Sequence, residues 1–476
     1  MEAVERELLE KFSYYGQDHV FRFLNDLNST ERADLLCQAK GINLHKLSGK
    51  IRTLLALNNG FIGLHFKDVA TQVNFIGLPN NDTDEKKWAE AYHIGEKALG
   101  EGRIAVLTAA GGQGSRLGRA SPKGMLKVTP VNGKTLFQVF AEKIRFAEKK
   151  YGHKIHWFIM TSDRNRNEII KFFYENDSFG LAHVHFFNQG SLPAVDFSGK
   201  IMMEEKHRIA MHPDGHGGVF GAFVNSGLLD ILDENDIDMI SYFQVDNPLV
   251  RCIDPHFVGF HIKQQSQMSC RMVTKTYPEE KIGVFCTMYD KTAIIEYSDL
   301  SAELAGEKDI TGRLRFRAGN AAIHIFDRDF VKAIGDENAL KQLQVHMAKK
   351  RIPTIDANGN YIEPESVNGV KFETFVFDAL QFAQRSLVLE ADRRENFSPI
   401  KNLHGTDSLA TCKQNQLRLF ARWLLAGGAE IPVDATGLPP FNIEISPLFA
   451  ENKVDFLLKW NALKVKPAIS ANSYIS

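Results

Sequence analysis

A glycine-rich loop that carries two basic residues is the part of this sequence best suited to hold phosphate groups. Residues 109–124 read AAGGQGSRLGRASPKG. Glycines lack side chains, so the backbone can turn tightly and direct its N–H groups at phosphate oxygens. Arg116 and Lys123 add charge that would stabilise a triphosphate attacked at its α-phosphorus. The loop therefore predicts a nucleotide site. The alternative is a glycine turn with two solvated basic side chains.

The glycine spacing does not fit two familiar phosphate-binding motifs. No GK[ST] follows the glycines, so the loop is not a Walker A sequence, and its G-x-G-x-x-x-G spacing departs from the dinucleotide fingerprint. The loop lies between the apolar run RIAVLTAA and the segment KTLFQVFAEKIRFAEKK, in which Phe137 and Phe140 share a helical face. Thr135 and Gln138 have the spacing of a capping box. A strand, a loop and a helix are predicted in that order.

The same alternation of strand and helix patterns continues along the chain. Further strands are predicted at HWFIMTS (156–162), HVHFFNQ (183–189), MISYFQV (239–245), SCRMVTKT (269–276) and IGVFCTMYD (282–290). The helical pattern NRNEIIKFFYEN follows the first of them. Such repetition predicts a largely parallel sheet covered by helices. The acidic stretch SAELAGEKD (301–309) is predicted to be a surface loop.

Three domains are expected from the changes of pattern. Helical spacing before the glycine loop, as in Val20, Phe23, Leu24 and Leu27, predicts a helical N-terminal domain. A charged segment near residue 390 marks a hinge, and a helix at 417–426 and a strand at 441–448 follow it. The predicted ranges are 1–98 for the helical domain, 99–390 for the catalytic domain and 391–476 for a small C-terminal domain.

The overall composition argues against several classes of protein. Among 476 residues, Lys and Arg number 57 and Asp and Glu 58, and 44% of the residues are hydrophobic. Neither disorder nor a general nucleic-acid-binding surface is expected from these values. No run of about eighteen apolar residues occurs, so no membrane span is expected. The five scattered cysteines form no CxxC pair, which favours reduced thiols and a cytoplasmic protein.

A series of further segments carries a family resemblance. They are NQGSLPAVDFSGKI (188–201), MHPDGHGGVF (211–220), YFQVDNPLV (242–250), IIEYSDLS (294–301), FRAGNAAIHIF (316–326), KFETFVFD (371–378) and FSPIKN (397–402). Together with the glycine loop, and in the same order, they resemble the UDP-N-acetylhexosamine pyrophosphorylases, which are UTP-dependent sugar-1-phosphate uridylyltransferases. The resemblance covers roughly residues 20 to 450.

This resemblance implies both a fold and a reaction. The implied fold is α/β and glycosyltransferase-A-like, or Rossmann-like: a mixed, mostly parallel sheet flanked by helices, with a helical N-terminal region and a small α+β C-terminal domain. The implied reaction joins UTP to a hexosamine 1-phosphate. Its products would be pyrophosphate and UDP-N-acetylglucosamine, with UDP-N-acetylgalactosamine as a second sugar nucleotide.

The resemblance also implies roles for individual residues. Arg116, Lys123 and Lys401 would be the catalytic cations, and Asp246 would bind Mg²⁺, with Mn²⁺ as the alternative ion. The implied nucleotide-binding residues are Ala110, Gly111, Gly112, Gly114, Gln189 and Gly215, and the implied sugar-binding residues are His216, Glu296, Tyr297, Asn320, Phe375 and Phe377. The residues alone leave other interpretations open, because Asp246 could be a turn carboxylate and the two phenylalanines could belong to the core.

One position departs from the family pattern and keeps other functions open. The acetylhexosamine enzymes generally have asparagine where this chain has His216, whereas glucose and broad-specificity relatives have histidine in a GHGD block. Here Gly218 follows where those relatives have aspartate. The alternatives are therefore a glucose-1-phosphate uridylyltransferase or broad UDP-sugar pyrophosphorylase and, in a different class, a non-catalytic UDP-sugar sensor. No nucleic-acid or membrane partner is expected, and the sequence leaves the oligomeric state open.

Overall fold

The computed structural model describes residues 2–58, 70–112, 114, 118 and 121–476. The chain forms two compact units, each assembled from three segments. The first unit comprises Met1–Asp68, Gln189–Ala222 and Gly335–Ala379, and the second comprises Val69–Asn188, Phe223–Ile334 and Leu380–Ser476. This division rests on compactness, whereas the three predicted domains are continuous ranges of sequence. The boundaries of those domains stay a prediction.

Helices occur in both units. The α-helices in the described residues are α1 (Glu2–Tyr14), α2 (Ser29–Lys40), α3 (Leu44–Asn58), α4 (Asp82–Gly100), α5 (Leu136–Tyr151), α6 (Arg166–Glu175), α7 (Val219–Asn225), α8 (Leu228–Glu234), α9 (Pro255–Lys263), α10 (Ala302–Gly306), α11 (Arg328–Gly335), α12 (Glu337–Leu340), α13 (Arg393–Asn396), α14 (Leu409–Ala426) and α15 (Lys453–Ala462).

Strands also occur in both units, and the second unit holds the large sheet. The described strands are β1 (Ala70–Gln72), β2 (Ile104–Ala109), β3 (Trp157–Thr161), β4 (Val184–Asn188), β5 (Ser191–Pro193), β6 (Val195–Asp196), β7 (Met203–Glu205), β8 (Arg208–Ile209), β9 (Met211–Pro213), β10 (Met239–Gln244), β11 (Met268–Thr274), β12 (Val284–Met288), β13 (Lys291–Ile295), β14 (Ala318–Asp327), β15 (His346–Lys350), β16 (Thr354–Ile355), β17 (Tyr361–Ile362), β18 (Gly369–Glu373), β19 (Ser386–Glu390), β20 (Ile443–Ile445) and β21 (Ser473–Ile475).

The second unit is built around a mixed sheet of ten strands. Its central order is β1-β12-β14-β10-β2-β3-β4, with β11, β13 and β19 attached beside this path. Strands β10, β2, β3 and β4 pair in parallel, and β11 pairs in parallel with β19. The other pairs in the sheet are antiparallel. The predicted α/β fold with a mixed sheet flanked by helices is confirmed, and all six strands predicted in this part of the chain are present.

The parallel half of the sheet explains where a ligand site should lie. From β2 the chain passes through α5 to β3 on one side, whereas β10 lies on the other side of β2. In register, Gln244 at the end of β10 pairs with Ala109 at the end of β2. Ligands of open α/β sheets bind beyond the carboxyl ends of the strands at such a reversal of strand order. The glycine loop leaves β2 at this point, and Asp246 follows β10.

Helix α5 begins as its sequence predicts, with one difference in its cap. Thr135 Oγ1 accepts a hydrogen bond from the Gln138 N–H at 3.2 Å. The Gln138 side chain donates to Glu142 at 3.1 Å instead of completing a capping box. The helix is amphipathic, and the rings of Phe137 and Phe140 are fully buried. Gly152, with a φ of 79°, ends the helix in the left-handed conformation that glycine adopts without strain.

The first unit combines the N-terminal helices with a three-stranded sheet. The strand order of that sheet is β15-β18-β6. Its core brings apolar residues of α1, α2 and α3, such as Phe12, Leu35 and Leu54, together with Val195 of β6 and Val370 of β18. The segments at 189–222 and 335–379 are therefore needed to bury the apolar faces of the N-terminal helices.

Within the helical N-terminal region, the residues around Val20 and Leu24 form two short 3₁₀ turns, Asp18–Phe21 and Leu24–Asp26, which bury both side chains. One local prediction was wrong. The stretch predicted as a loop at 301–309 contains α10. Ser301 caps this helix by accepting from the Leu304 N–H at 3.3 Å, and Leu304 is buried, so one apolar residue in a polar stretch stabilises a helical turn.

Within the described residues, no helix is long and apolar enough to cross a membrane.

A stack of three histidines at one edge of the sheet makes stability depend on pH. The ring of His156 stacks on His183 and His185, with centroids 4.5 and 5.2 Å away. Burial and the two neighbouring rings lower the pKa of His156 from 6.5 to about 4. Between these values the unfolded chain binds a proton that the folded chain does not, so acid favours unfolding.

We therefore expect the free energy of unfolding to decrease on acidification more in the wild type than in His156→Phe, which keeps an aromatic ring without a titrating group. Between pH 7 and pH 4 the difference should be about 1 kcal/mol, because solvent near His183 and His185 screens part of the effect. Urea unfolding across this range measures it, and parallel pH curves for the two proteins would contradict the prediction.

Candidate functional site

The start of the glycine loop is held in place by the segment that follows β3. Ser162 Oγ donates to the Gly111 carbonyl and Asn165 Nδ2 donates to the Ala110 carbonyl, both at 3.0 Å. With both carbonyls occupied, the N–H groups of Gly111 and Gly112 make no hydrogen bond to another described residue. Arg116, one of the predicted catalytic cations, lies outside the described residues.

The end of the loop brings Lys123 to the carboxylate of Asp246. Lys123 Nζ donates to Asp246 Oδ2 at 3.2 Å, and the two side chains are 17% and 12% exposed. Lys123 opens a short 3₁₀ turn, Lys123–Met125, whose Gly124 packs directly on the ring of Phe137. A side chain at residue 124 would have its Cβ 2.2 Å from that ring, so only glycine fits this approach.

Asp246 stays ionised despite its burial. Burial alone would raise the pKa of its carboxyl, but the charges of Lys123 and Lys401 outweigh this effect and hold the pKa below its usual value. The Asp246 carbonyl also accepts from the Ile400 N–H at 2.9 Å. A carboxylate and two ammonium groups therefore converge where β10 ends.

Asn247 connects this strand end to the segment that carries Lys401. Its Nδ2 donates to the Asn396 carbonyl at 2.7 Å, and its Oδ1 accepts from the Ser398 N–H at 3.0 Å. Lys401 lies over the ring of Phe397, with Nζ 6.0 Å from the centroid. The sequence analysis did not identify Asn247, because a chain read alone does not show which distant segment an amide side chain will bind.

A small cavity adjoins these groups. Its lining includes Asp246, Asn247 and Lys401 together with Asn320 of β14, which the sequence predicted to bind sugar. Asn320 Oδ1 accepts from the Ala322 N–H at 2.9 Å. Ala322 also lines the cavity and has a φ of 56°, a conformation that costs a residue with a side chain about 1 kcal/mol or more. Three predicted site residues therefore meet here, beside a strained residue that the sequence did not reveal.

The donor set at this cavity suits a magnesium ion that is bound together with phosphates. Among the described residues, no group of three or more His, Cys, Asp or Glu side chains is arranged to hold a metal. Mg²⁺ does not need such a cage, because it usually takes one or two carboxylates and completes its octahedron with phosphate and water oxygens. Asp246 can supply the carboxylate, and Lys123 and Lys401 are placed to bind phosphates.

In the first unit, two residues that were predicted to bind the nucleotide, Gln189 and Gly215, lie side by side. Gln189 Nε2 donates to the Gly215 carbonyl at 2.5 Å. Gly215 has a φ of 87°, and a Cβ there would lie 2.2 Å from the Thr374 carbonyl oxygen. Next to it, burial raises the pKa of the Asp214 carboxyl to about 6, while the hydrogen bond from Gln189 opposes that rise. The hydrogen bond from Gln189 thus joins the segment after β4 to the turn after β9.

The same unit brings His216 to the two predicted aromatic residues. The His216 ring stacks on Phe375 at 5.1 Å and meets Phe377 edge-on at 6.0 Å. The Val376 N–H donates to His216 Nδ1 at 3.1 Å. An Nδ1 that accepts a hydrogen bond carries no proton, so the neutral ring has its hydrogen on Nε2. His346 also stacks on Phe375, and the centroids of the two rings are 4.2 Å apart.

The remaining predicted sugar residues, Glu296 and Tyr297, directly follow β13 and do not line the cavity. Glu296 lies beside Gly283, since a Cβ at that glycine would come within 2.9 Å of Glu296 Oε1. The Asn320 N–H donates to the Gly283 carbonyl at 2.8 Å, so Glu296 and Asn320 flank the same residue. Tyr297 is 47% exposed.

Comparison with known proteins places this chain in one family. The family profile described as UTP–glucose-1-phosphate uridylyltransferase matches residues 75–421. A mouse protein, UDP-N-acetylhexosamine pyrophosphorylase-like protein 1, is 35% identical, over 93% of this chain and 92% of its own. The Saccharomyces cerevisiae UDP-N-acetylglucosamine pyrophosphorylase is 34% identical, over 87% of this chain and 90% of its own.

A solved structure has the same fold over nearly the whole length of this chain. The uridine diphosphate N-acetylglucosamine pyrophosphorylase of Trypanosoma brucei, in complex with an inhibitor, superposes with a TM-score of 0.82 at 27% identity. The likeness covers 99% of this chain and 98% of that one.

The close approach of Gly124 to Phe137 yields a prediction about stability. We expect Gly124→Ala to lower the free energy of unfolding by about 1–3 kcal/mol, because the added methyl overlaps a fully buried ring. Gly100→Ala is the matched control, since a Cβ at Gly100 meets nothing within 4 Å. Urea unfolding measures both, and equal stability of the two variants would show that the turn can move away from α5.

Proposed function

The chain belongs to the UTP–glucose-1-phosphate uridylyltransferase family, which makes it a nucleotidyltransferase, and from this premise we propose that it joins UTP to N-acetylglucosamine 1-phosphate. The products would be UDP-N-acetylglucosamine and pyrophosphate, with N-acetylgalactosamine 1-phosphate as a second substrate. The observation that carries the proposal is the convergence of Lys123, Asp246 and Lys401 at the strand ends. The names of the mouse and yeast relatives support the acetylated sugar.

The chemistry we propose is an in-line displacement at the α-phosphorus of UTP. A phosphate oxygen of the sugar 1-phosphate attacks, and pyrophosphate leaves on the opposite side. The attacking phosphate is largely dianionic near neutral pH, because its second pKa is about 6, so no general base is needed. Catalysis then rests on positioning and on charge neutralisation by Lys123, Lys401 and Arg116.

Asp246 would hold a Mg²⁺ ion, or Mn²⁺ in its place. When bound, the metal polarises and orients the phosphate oxygens of the nucleotide. Asp246 contributes a carboxylate kept ionised by Lys123 and Lys401, and the unbonded N–H groups of Gly111 and Gly112 would meet phosphate oxygens. We propose that Ala110 and Gly114 also contact the phosphates.

Residues of the first unit would recognise the base and the sugar. Gln189 donates from Nε2 to Gly215, which leaves its Oε1 as an acceptor for the N3–H of uracil. Cytosine has no hydrogen at N3, so this contact would favour UTP over CTP. For the sugar, we propose the ring of His216 beside Phe375 and Phe377. In the second unit we propose Asn320, Glu296 and Tyr297 as hydroxyl or wall contacts.

We place the enzyme in the cytoplasm. The five cysteines are unpaired, and four of them are buried. Unpaired thiols are typical of a reducing compartment.

A sugar panel tests the proposed function. Pyrophosphate release should require UTP and Mg²⁺ and should be fastest with N-acetylglucosamine 1-phosphate. Glucose 1-phosphate and galactose 1-phosphate should be slower by about tenfold or more, since they lack the acetamido group that the site would bind. Preference for glucose or galactose would favour a general UDP-sugar pyrophosphorylase, and well-folded protein inactive with every sugar would favour the non-catalytic sensor.

Two lysine variants distinguish a specific catalytic role of Lys123 from a general effect of positive charge near the site. We expect Lys123→Met to lower kcat by about a hundredfold with a smaller change in KM, because the ammonium group stabilises charge that develops during transfer. Lys127→Met is the matched control, since Lys127 lies four residues further along the chain and is exposed. Steady-state kinetics with saturating Mg²⁺ measures both. Full turnover of Lys123→Met would rule out this catalytic role.

A further inference from the structure

Beyond the residues that would touch substrate, a buried lysine on α5 is bonded to the loop that carries Asp246. Lys143 is only 8% exposed. Its Nζ donates to the carbonyls of Pro248 at 2.9 Å and Val250 at 2.5 Å. Both acceptors belong to the turn that begins directly after Asp246 and Asn247.

Besides Lys143, the contacts of Asp246 and Asn247 with residues 396, 398 and 400 hold this turn. Residues 245–250 are all buried, so their carbonyls cannot bond to water and need partners within the protein. Inside the turn, the Val250 N–H donates to the Asn247 carbonyl at 3.3 Å, and the Leu249 N–H donates to Asn247 Oδ1 at 3.2 Å. Lys143 supplies two further bonds from a single rigid helix.

The same helix, α5, also holds the short turn that begins with Lys123. Near its start, the Phe137 ring packs against Gly124, and the Leu136 N–H donates to the Leu126 carbonyl at 3.1 Å. Lys143 lies about 9 Å further along the helix axis. One helix therefore sets the position of both Lys123 and the Asp246 loop, and so their separation.

We propose that Lys143 is a positioning residue, which holds the turn after β10 so that Asp246 and Asn247 present their side chains correctly to the metal and to the Lys401 segment. This inference rests on the proposed role of Asp246 in metal binding. Lys143 does not touch substrate. It acts through the backbone of residues 248 and 250, and its loss would let the Asp246 carboxylate move relative to Lys123.

The variants that test this role are Lys143→Met and Lys143→Arg. Methionine keeps an unbranched chain of similar length but removes every donor, whereas arginine keeps the charge and the donors. Phe223→Leu is the stability control, because Phe223 is fully buried and packs on Phe158 and Phe187 rather than on the turn. Only variants that remain folded at the assay temperature are compared.

The first readout is hydrogen exchange in peptides that cover residues 243–251. In Lys143→Met these peptides should exchange at least about tenfold faster than in wild type, whereas peptides from β3 should be unchanged. Lys143→Arg should restore most of the protection. Wild-type exchange of residues 243–251 in Lys143→Met, or equal acceleration in Phe223→Leu, would overturn the positioning role.

The second readout is UTP binding by isothermal titration calorimetry. With Mg²⁺, the Kd of Lys143→Met should rise about fivefold, and in EDTA it should match wild type, because only the metal contact depends on Asp246. An equal Kd with Mg²⁺ would overturn the inference. Pyrophosphate release by the wild type is a separate measurement: its absence contradicts the proposed function, whereas unchanged exchange and binding in Lys143→Met contradict only the role of Lys143.

Discussion

The buried carboxylate of Asp246 is the constraint on which the site in the second unit depends. A charge removed from water is costly unless opposite charge and hydrogen bonds compensate it. Here Lys123 and Lys401 provide the charge, and each comes from a different part of the chain. The protein must therefore hold three distant segments at fixed separation, and the contacts of Gly124, Asn247 and Lys143 meet that demand.

Under the proposed function, the same compensation would prepare the cations for phosphate. Lysine side chains on a surface sample many conformations, and fixing them costs free energy when a ligand binds. Lys123 is already held by Asp246, so its ammonium group is in place before any phosphate arrives. Preorganised charge of this kind stabilises a transition state without reorganisation at the moment of reaction. The first unit shows a parallel case, in which the positive φ of Gly215 and its contact with Thr374 fix a turn that only glycine permits.

The sequence predicted the features that depend on local periodicity. Strands β2, β3, β4 and β10 are short apolar runs, and each lies within one residue or two of its predicted range. What the sequence missed depends on contacts between distant residues. The positive φ of Ala322 and the bonds of Asn247 to residues 396 and 398 have no signature in the neighbouring residues. The helical spacing around Val20 did not distinguish two short 3₁₀ turns from one α-helix, because both bury the same side chains.

The identity of residue 216 can be understood from its hydrogen bonds. In this chain His216 accepts the Val376 N–H through Nδ1. The carbonyl oxygen of an asparagine is also an acceptor and could take the same hydrogen bond. Exchange of histidine and asparagine therefore does not by itself signal a different sugar. The two side chains differ in their contact with Phe375, because only the imidazole ring of histidine stacks on the phenyl ring. The histidine that set this chain apart from the acetylhexosamine pattern is thus compatible with that function.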